Sequence, residues 1–288
     1  MRSSKKCIDC FYRQVDMTAG LLKLSKAKHQ KAKKVIERKI NSFDFSNPPI
    51  VFGRAIYRTL SHISGVRDPF LSQKRRIEKQ LLNSMADIRS LLNNSPDPFE
   101  QSAKACCAAN MIDFGAGKIP DLRKFVTDLK KIKLKVNDFK TFKNKLKAAR
   151  RIMVLGDNCG EIFFDRLFIE QISLFRPELK IVYVSRSAVI INDATVPDAK
   201  RAGISGFARI ISSGCDYPGL LLTKTSELFQ KEYKKADIVL SKGQGNFESY
   251  NDNHKAVFYL FKVKCLPVAE QLRLPFNSLL FIYNKTML

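Results

Sequence analysis

The run Arg150-Arg151-Ile152-Met153-Val154-Leu155-Gly156-Asp157-Asn158-Cys159-Gly160-Glu161 decides how this chain is read. A short apolar segment ends in Gly-Asp-Asn, and Ile162, Phe163, Leu167, Phe168 and Ile169 then recur at helical spacing. That pattern predicts strand, tight turn, helix. In an open α/β sheet, ligands bind outside the carboxyl ends of the strands. Asp157 and Asn158 therefore stand where a site is expected.

Downstream the same rhythm repeats. Apolar, β-branched runs predict strands at 152–155, 180–184, 189–191, 207–211, 237–240 and 279–283, with helical stretches at 160–175, 195–202 and 225–233 between them. Alternation of this kind implies βα units and a mostly parallel, doubly wound sheet. Upstream, residues 1–148 look helical throughout. Ile77, Leu81, Leu82, Met85, Ile88 and Leu91 mark one face of a long helix over 75–92, and Pro96 and Pro98 break it. The chain divides on this reading into an all-helical domain, 1–148, and an α/β domain, 149–288, that carries the site.

Composition sets outer limits. With 45% hydrophobic and 27% charged residues in 288, the chain has the make-up of a globular protein. No apolar run is long enough to span a membrane, and the basic start lacks the apolar stretch of a signal peptide. A cytoplasmic protein with no membrane partner is expected. Seven irregularly spaced cysteines predict reduced thiols, and Cys7-x-x-Cys10 is half of a zinc-site spacing without a second half. The formal net charge of +24 could attract polyanions. Its lysines, however, interleave with Leu129, Ile132, Leu134, Val136 and Phe139 at the three-to-four spacing of amphipathic helices. A solvated surface is the simpler reading, and nucleic acid is not the expected partner.

Four turns follow predicted strands. Besides Gly156-Asp157-Asn158 they are Asn192-Asp193, with Arg186 shortly before it; Ser212 to Gly219; and Ser241-Lys242-Gly243-Gln244-Gly245-Asn246. A parallel sheet would bring all of them to one edge. Asp157, Asn158 and Asp193 offer hard oxygen donors suited to Mg²⁺ or Mn²⁺. Lys242 would add a fixed charge for a phosphate, and Gly243 and Gly245 would let backbone amides approach it. Each signal has a plainer reading: Asp157-Asn158 and Asn192-Asp193 are good helix caps, and Gly-Gln-Gly lacks the pattern of a P-loop or a dinucleotide loop.

In combination the motifs carry a resemblance. Gly-Asp-Asn-Cys-Gly-Glu (156–161) resembles the Asp-Asn-Ala-Gly-Glu motif of the domain-of-unknown-function-89 family, the metal-dependent damage-control phosphatases. Ile-Ile-Asn-Asp-Ala-Thr-Val-Pro-Asp-Ala (190–199) and Ala-Asp-Ile-Val-Leu-Ser-Lys-Gly-Gln-Gly-Asn-Phe-Glu (236–248) look like its second and third motifs, and the Lys-Val-Lys-Cys ending of 258–265 matches the strand after them. Cys7-x-x-Cys10 with Gln14, Gly65-x-x-Asp68-Pro69 and Ala-Asn-Met-Ile-Asp-Phe-Gly (109–115) are similar to N-terminal elements of its stand-alone microbial branch.

The resemblance implies a three-layer α/β/α core behind an N-terminal helical domain. It also implies a divalent metal (Mn²⁺, Ni²⁺, Co²⁺ or Mg²⁺) on Asp157, Asn158 and Asp193, with Lys242 on phosphate, and hydrolysis of sugar phosphates or damaged phosphometabolites. Arg186, Asn110 and Asp113, with the turn Gly243, Gly245 and Asn246, are the expected substrate contacts. Cys159 replaces the usual alanine beside the metal and predicts sensitivity to oxidation. Ser187-Ala188-Val189 departs from the usual Gly-x-Pro after Arg186, and Ala109 stands where glycine is common. The rival reading is a basic nucleic-acid-binding protein on a degenerate phosphatase core. A methyltransferase-like α/β protein is disfavoured for want of a glycine-rich cofactor loop.

Overall fold

A computed structural model describes residues 1–112, 121–250 and 254–287. The helices α1 (Cys7–Leu21), α2 (Lys26–Asn41), α3 (Pro49–Ser64), α4 (Leu71–Asn93) and α5 (Pro98–Ala108) come first, then α6 (Leu122–Asp128), the short strand β1 (Val136–Asn137) and α7 (Phe139–Ala148). The α/β part runs β2 (Arg151–Leu155), α8 (Ile162–Phe175), β3 (Lys180–Ser185), α9 (Val196–Arg201), β4 (Arg209–Ser212), α10 (Glu227–Lys235), β5 (Ile238–Lys242), α11 (Gln244–Ser249), β6 (Ala256–Lys262), α12 (Leu266–Leu272) and β7 (Leu279–Tyr283).

These strands form one seven-stranded sheet in the order β1-β7-β6-β5-β2-β3-β4. Every neighbouring pair is parallel except β6–β7. The period of two along each strand sorts side chains between two layers. Ile152, Val154, Tyr183, Leu240 and Phe258 face the layer that includes α4, α5, α7 and α8. Met153, Leu155, Val184, Val239 and Tyr259 face α10, α11 and α12. Both faces are covered, so β5 is buried along its whole length and opens on the continuous apolar run Ile238-Val239-Leu240. The fold is thus a three-layer, mostly parallel, doubly wound α/β/α sheet.

The upstream helices do two jobs. α1, α2 and α3 enclose a small core of their own, with Phe11, Val15, Ile36, Phe52 and Ile56 fully or nearly fully buried. α7 lies on the sheet, where Phe142 meets Phe281 of β7 at 5.4 Å between ring centroids, and α5 packs on α8, where Phe99 meets Phe168 at 5.8 Å. Residues on both sides of position 148 therefore share one core.

Two local expectations are corrected. The stretch before 148 is not helical throughout, because β1 adds an edge strand beside β7. Residues 189–191 are not a strand. Ile190 is buried, but Ile191 turns to φ 46°, and the segment crosses the strand ends, where Cys159 N–H donates to the Asn192 carbonyl and Ala194 N–H to the Asp157 carbonyl. Backbone satisfaction across the loop outweighs β propensity there.

Candidate active site

The sheet reverses its winding direction at β2, which has β3 on one side and β5 on the other. The crevice at the carboxyl ends of β2 and β5 is the position where α/β sheets bind ligands. Asp157 and Asn158 follow β2, and Lys242 ends β5. An isolated antiparallel bridge joins Asn158 to Asp193, and Arg186 follows directly on β3. The expected meeting of 157, 158 and 193 occurs.

The capping alternatives fail. α8 has Glu161 at its N-cap position with no side-chain cap bond, so Asp157 and Asn158 are free of that task. α9 is capped by Thr195, which shares a reciprocal capping box with Asp198. Asn192 and Asp193 lie before that cap.

Two glycines make the approach possible. A Cβ on Gly156 would stand 2.5 Å from the Tyr183 hydroxyl, and one on Gly243 only 1.9 Å from Asp157 Oδ2. Gly243 also has φ 81° and ψ 153°, a region only glycine occupies readily. It lets β5 lie against the Asp157 carboxylate. Its own N–H is bonded to the Leu260 carbonyl, and Gly245 packs inside α11 against the Pro218 carbonyl, 2.2 Å from where its Cβ would be. The Gly243 N–H is thus not offered to an anion, and both glycines serve close packing.

The side chains form one buried network. Arg186 Nε donates to Asp193 Oδ2 at 2.6 Å, and its Nη2 reaches Asn246 Oδ1 at 3.1 Å and Asp157 Oδ1 at 3.4 Å. Asn246 in turn donates to the Lys242 carbonyl at 2.7 Å. Asn110 donates to Glu161 Oε1 at 2.6 Å and Asp157 Oδ2 at 3.3 Å, while its oxygen accepts the Lys262 N–H at 3.0 Å. Asn158 Nδ2 donates to the same two acceptors, at 2.6 and 3.0 Å. Arg186, Asn110 and Asn246, expected to meet substrate, are buried and hold the acidic residues and loops in place instead. Asp113 lies outside the described residues.

Lys242 differs most from expectation. Its ammonium is buried and donates to Glu161 Oε2 at 2.9 Å and Asp165 Oδ1 at 2.7 Å. Asp165 also accepts from the Tyr183 hydroxyl at 2.7 Å and from the Cys106 thiol at 3.2 Å. Lysine here braces two carboxylates rather than standing open to a phosphate. Glu161 and Asp165 were not singled out from the sequence. The signal was available: they are four residues apart at the start of α8, so both face the same side of that helix.

Charge in this network is unbalanced. Asp157, Glu161, Asp165 and Asp193 are buried with Arg186 and Lys242, four carboxyls to two cations. Burial first, then repulsion from Glu161 and Asp193, holds the Asp157 carboxyl well above the ordinary carboxylate range, against the pull of Arg186 and Lys264. Burial works against the Arg186 charge, yet Asp193 and Asp157 outweigh it and raise that group's pKa. Among these buried groups carboxyls outnumber cations, with Lys264 adding its charge from nearby, and a bound cation would offset that excess of acid. The donor chemistry also fits: two carboxylates accept, so the Asn158 amide nitrogen must face them and its oxygen points away. Among the described residues no three His, Cys, Asp or Glu side chains converge as a metal group, so the candidate set is two carboxylates and a carboxamide. A cation there would share Asp157 and Asp193 with Arg186.

Lys264 is the second lysine of note. Its charge acts on both Asp157 and Glu248, and its N–H donates to Gln244 Oε1 at 2.7 Å. It belongs to the Lys-Val-Lys-Cys ending, which marked a strand and was given no role.

Comparison with known proteins identifies the family. A model of the damage-control phosphatase ARMT1-like domain matches residues 3–278. A Pyrococcus horikoshii protein named damage-control phosphatase PH1575 is 32% identical, with 99% of each chain covered. An Archaeoglobus fulgidus protein named damage-control phosphatase is 29% identical over 81% of this chain and 83% of its own. The crystal structure of the Pyrococcus protein, described as a DUF89 family protein, superposes with a TM-score of 0.88 over 99% of both chains. The chain belongs to the damage-control phosphatase ARMT1-like (DUF89) family.

Proposed function

We propose that this protein is a divalent-metal-dependent phosphatase that hydrolyses small phosphate monoesters, sugar phosphates or damaged phosphometabolites among them. One observation carries the reading: Asp157, Asn158 and Asp193 meet in a buried cluster with four carboxyls and two cations. When bound, a divalent cation there would polarise a phosphoryl oxygen and lower the pKa of an attached water. The chain's own residues supply the rest. Arg186 fixes the Asp157 and Asp193 carboxylates relative to each other through two of its nitrogens, Nη2 and Nε. Lys264, just past the carboxyl end of β6, acts on Asp157 and would neutralise charge on a bound phosphoryl group. Lys242 contributes through Glu161 and Asp165, not by direct contact with phosphate.

The relatives' names support the phosphatase class, and the donor set supports the metal. The test is phosphate release from a panel of sugar and nucleotide monophosphates after EDTA stripping, with Mn²⁺, Mg²⁺, Ni²⁺ or Co²⁺ added back. Activity should vanish with EDTA and return with metal. Asp157→Ala should stay inactive under every metal; full turnover by that variant would reject the assignment.

A further inference from the structure

Asn158 is the weak member of the donor set, because only one end of its carboxamide is an oxygen. Which end faces outward is decided by what the other end meets. Its Nδ2 lies 2.6 Å from Glu161 Oε1 and 3.0 Å from Asp157 Oδ2. Asp157 Oδ2 alone could not enforce that choice once its carboxylate is shared with a cation. Glu161 can. It is fully buried, and Lys242 holds its Oε2 at 2.9 Å, so Oε1 is presented to the amides of Asn158 and Asn110. Asn110 cannot rotate away either, since its oxygen is taken by the Lys262 N–H at 3.0 Å. Lys242 is in turn anchored by Asp165 at 2.7 Å.

We propose that Glu161 is a positioning residue for the metal site, which selects the oxygen-out orientation of the Asn158 carboxamide, with Lys242 and Asp165 holding Glu161 for that purpose. The inference rests on the metal assignment made above. It differs from a simple charge effect. A carboxylate that only attracts a cation helps whatever residue stands at 158, whereas a carboxylate that orients an amide helps only an amide. An aspartate at 158 has oxygen at both ends and needs no orienting. Glu161 would repel it.

The sign of the Glu161→Gln effect therefore depends on residue 158. Mn²⁺ binding to the full chain, measured calorimetrically, should weaken about 10- to 100-fold in Glu161→Gln, the range found when outer partners of metal ligands are removed. In an Asn158→Asp background the same change should strengthen binding. Weakening by a similar factor in both backgrounds would overturn the proposal while leaving the metal site intact. Failure of the wild-type chain to bind Mn²⁺ would remove the metal reading and this inference together. If Asn158→Asp does not fold, the side-chain amide resonances of Asn158 in ¹⁵N-labelled, metal-free protein decide. Those protons should be protected from exchange in the wild type and lose protection in Glu161→Gln; unchanged protection would contradict the proposal.

Discussion

Gly243→Ala is the sharpest perturbation of the site that leaves every charge in place. The new Cβ would lie 1.9 Å from Asp157 Oδ2 and 2.2 Å from its Cγ, against a floor near 3.0 Å for real contacts. The carboxylate must move by more than an ångström, or β5 must retreat from β2. The backbone adds its own cost: at φ 81° and ψ 153° a residue with a Cβ is strained by about 1–3 kcal/mol. Overpacking of a tight interior contributes about 1–3 kcal/mol more, so urea denaturation should show a loss of about 2–6 kcal/mol. Misplacing a ligand carboxylate by 1 Å should lower turnover by about 100-fold. The control is Gly20→Ala near the end of α1, where a Cβ meets nothing within 4 Å; it should be neutral or gain up to about 1 kcal/mol. Wild-type stability and phosphate release in Gly243→Ala would refute the claim that this glycine exists to admit Asp157.

Three further outcomes follow from the same network. Asp157→Asn removes a carboxylate whose pKa is raised by burial, Glu161 and Asp193; because a raised acid costs stability as pH climbs, the metal-free variant should melt higher than wild type at pH 8 while losing phosphatase activity, and a lower melting point would contradict the charge imbalance. Lys242→Met leaves Glu161 and Asp165 buried without their cation, and chemical denaturation should register a loss of about 3–5 kcal/mol. Burial pushes the Glu248 carboxyl up to about 7 from an ordinary 4.5, against a lowering hydrogen bond from Gln244. Its folded form therefore holds the proton longer than the unfolded chain, so stability falls between pH 4.5 and 7 and the deficit persists above. Glu248→Gln should match wild type at pH 4 and exceed it at pH 8 by roughly 1–3 kcal/mol; parallel pH profiles would dismiss the assignment.

Much of the fold could be read from pattern because both faces of the sheet are covered: β2, β3 and β5 each contain a run of at least three consecutive apolar residues. The failures have physical causes. Ile190 and Ile191 carry strand-like side chains but lie in a loop that crosses the strand ends, and only tertiary hydrogen bonds reveal that. β1 is two residues long and owes its existence to β7, whose paired residues lie 144 positions later (Val136 with Leu280, Asn137 with Phe281). Within the site, Asp157 and Asn158 were legible because they sit in the turn after β2, whereas Asp193 was reached through an expected strand, 189–191, that does not form. The division of labour among the cations was not legible. Whether a lysine reaches out to a ligand or inward to a carboxylate depends on what α8 places beneath it, and Glu161 and Asp165 claim Lys242 from there. Arg186, Asn110 and Asn246 are likewise polar residues near a crevice whose side chains turn inward. Gly245 also lets α11 approach Pro218, a packing role that the sequence pattern does not show.

The claim on which the rest depends is that Asp157, Asn158 and Asp193 hold one divalent ion. Crystals soaked in Mn²⁺ and measured at a wavelength where manganese scatters anomalously test it most directly. The account predicts a single strong anomalous peak within bonding distance of an oxygen from each of those three side chains. A peak elsewhere, or none at millimolar Mn²⁺, would contradict it.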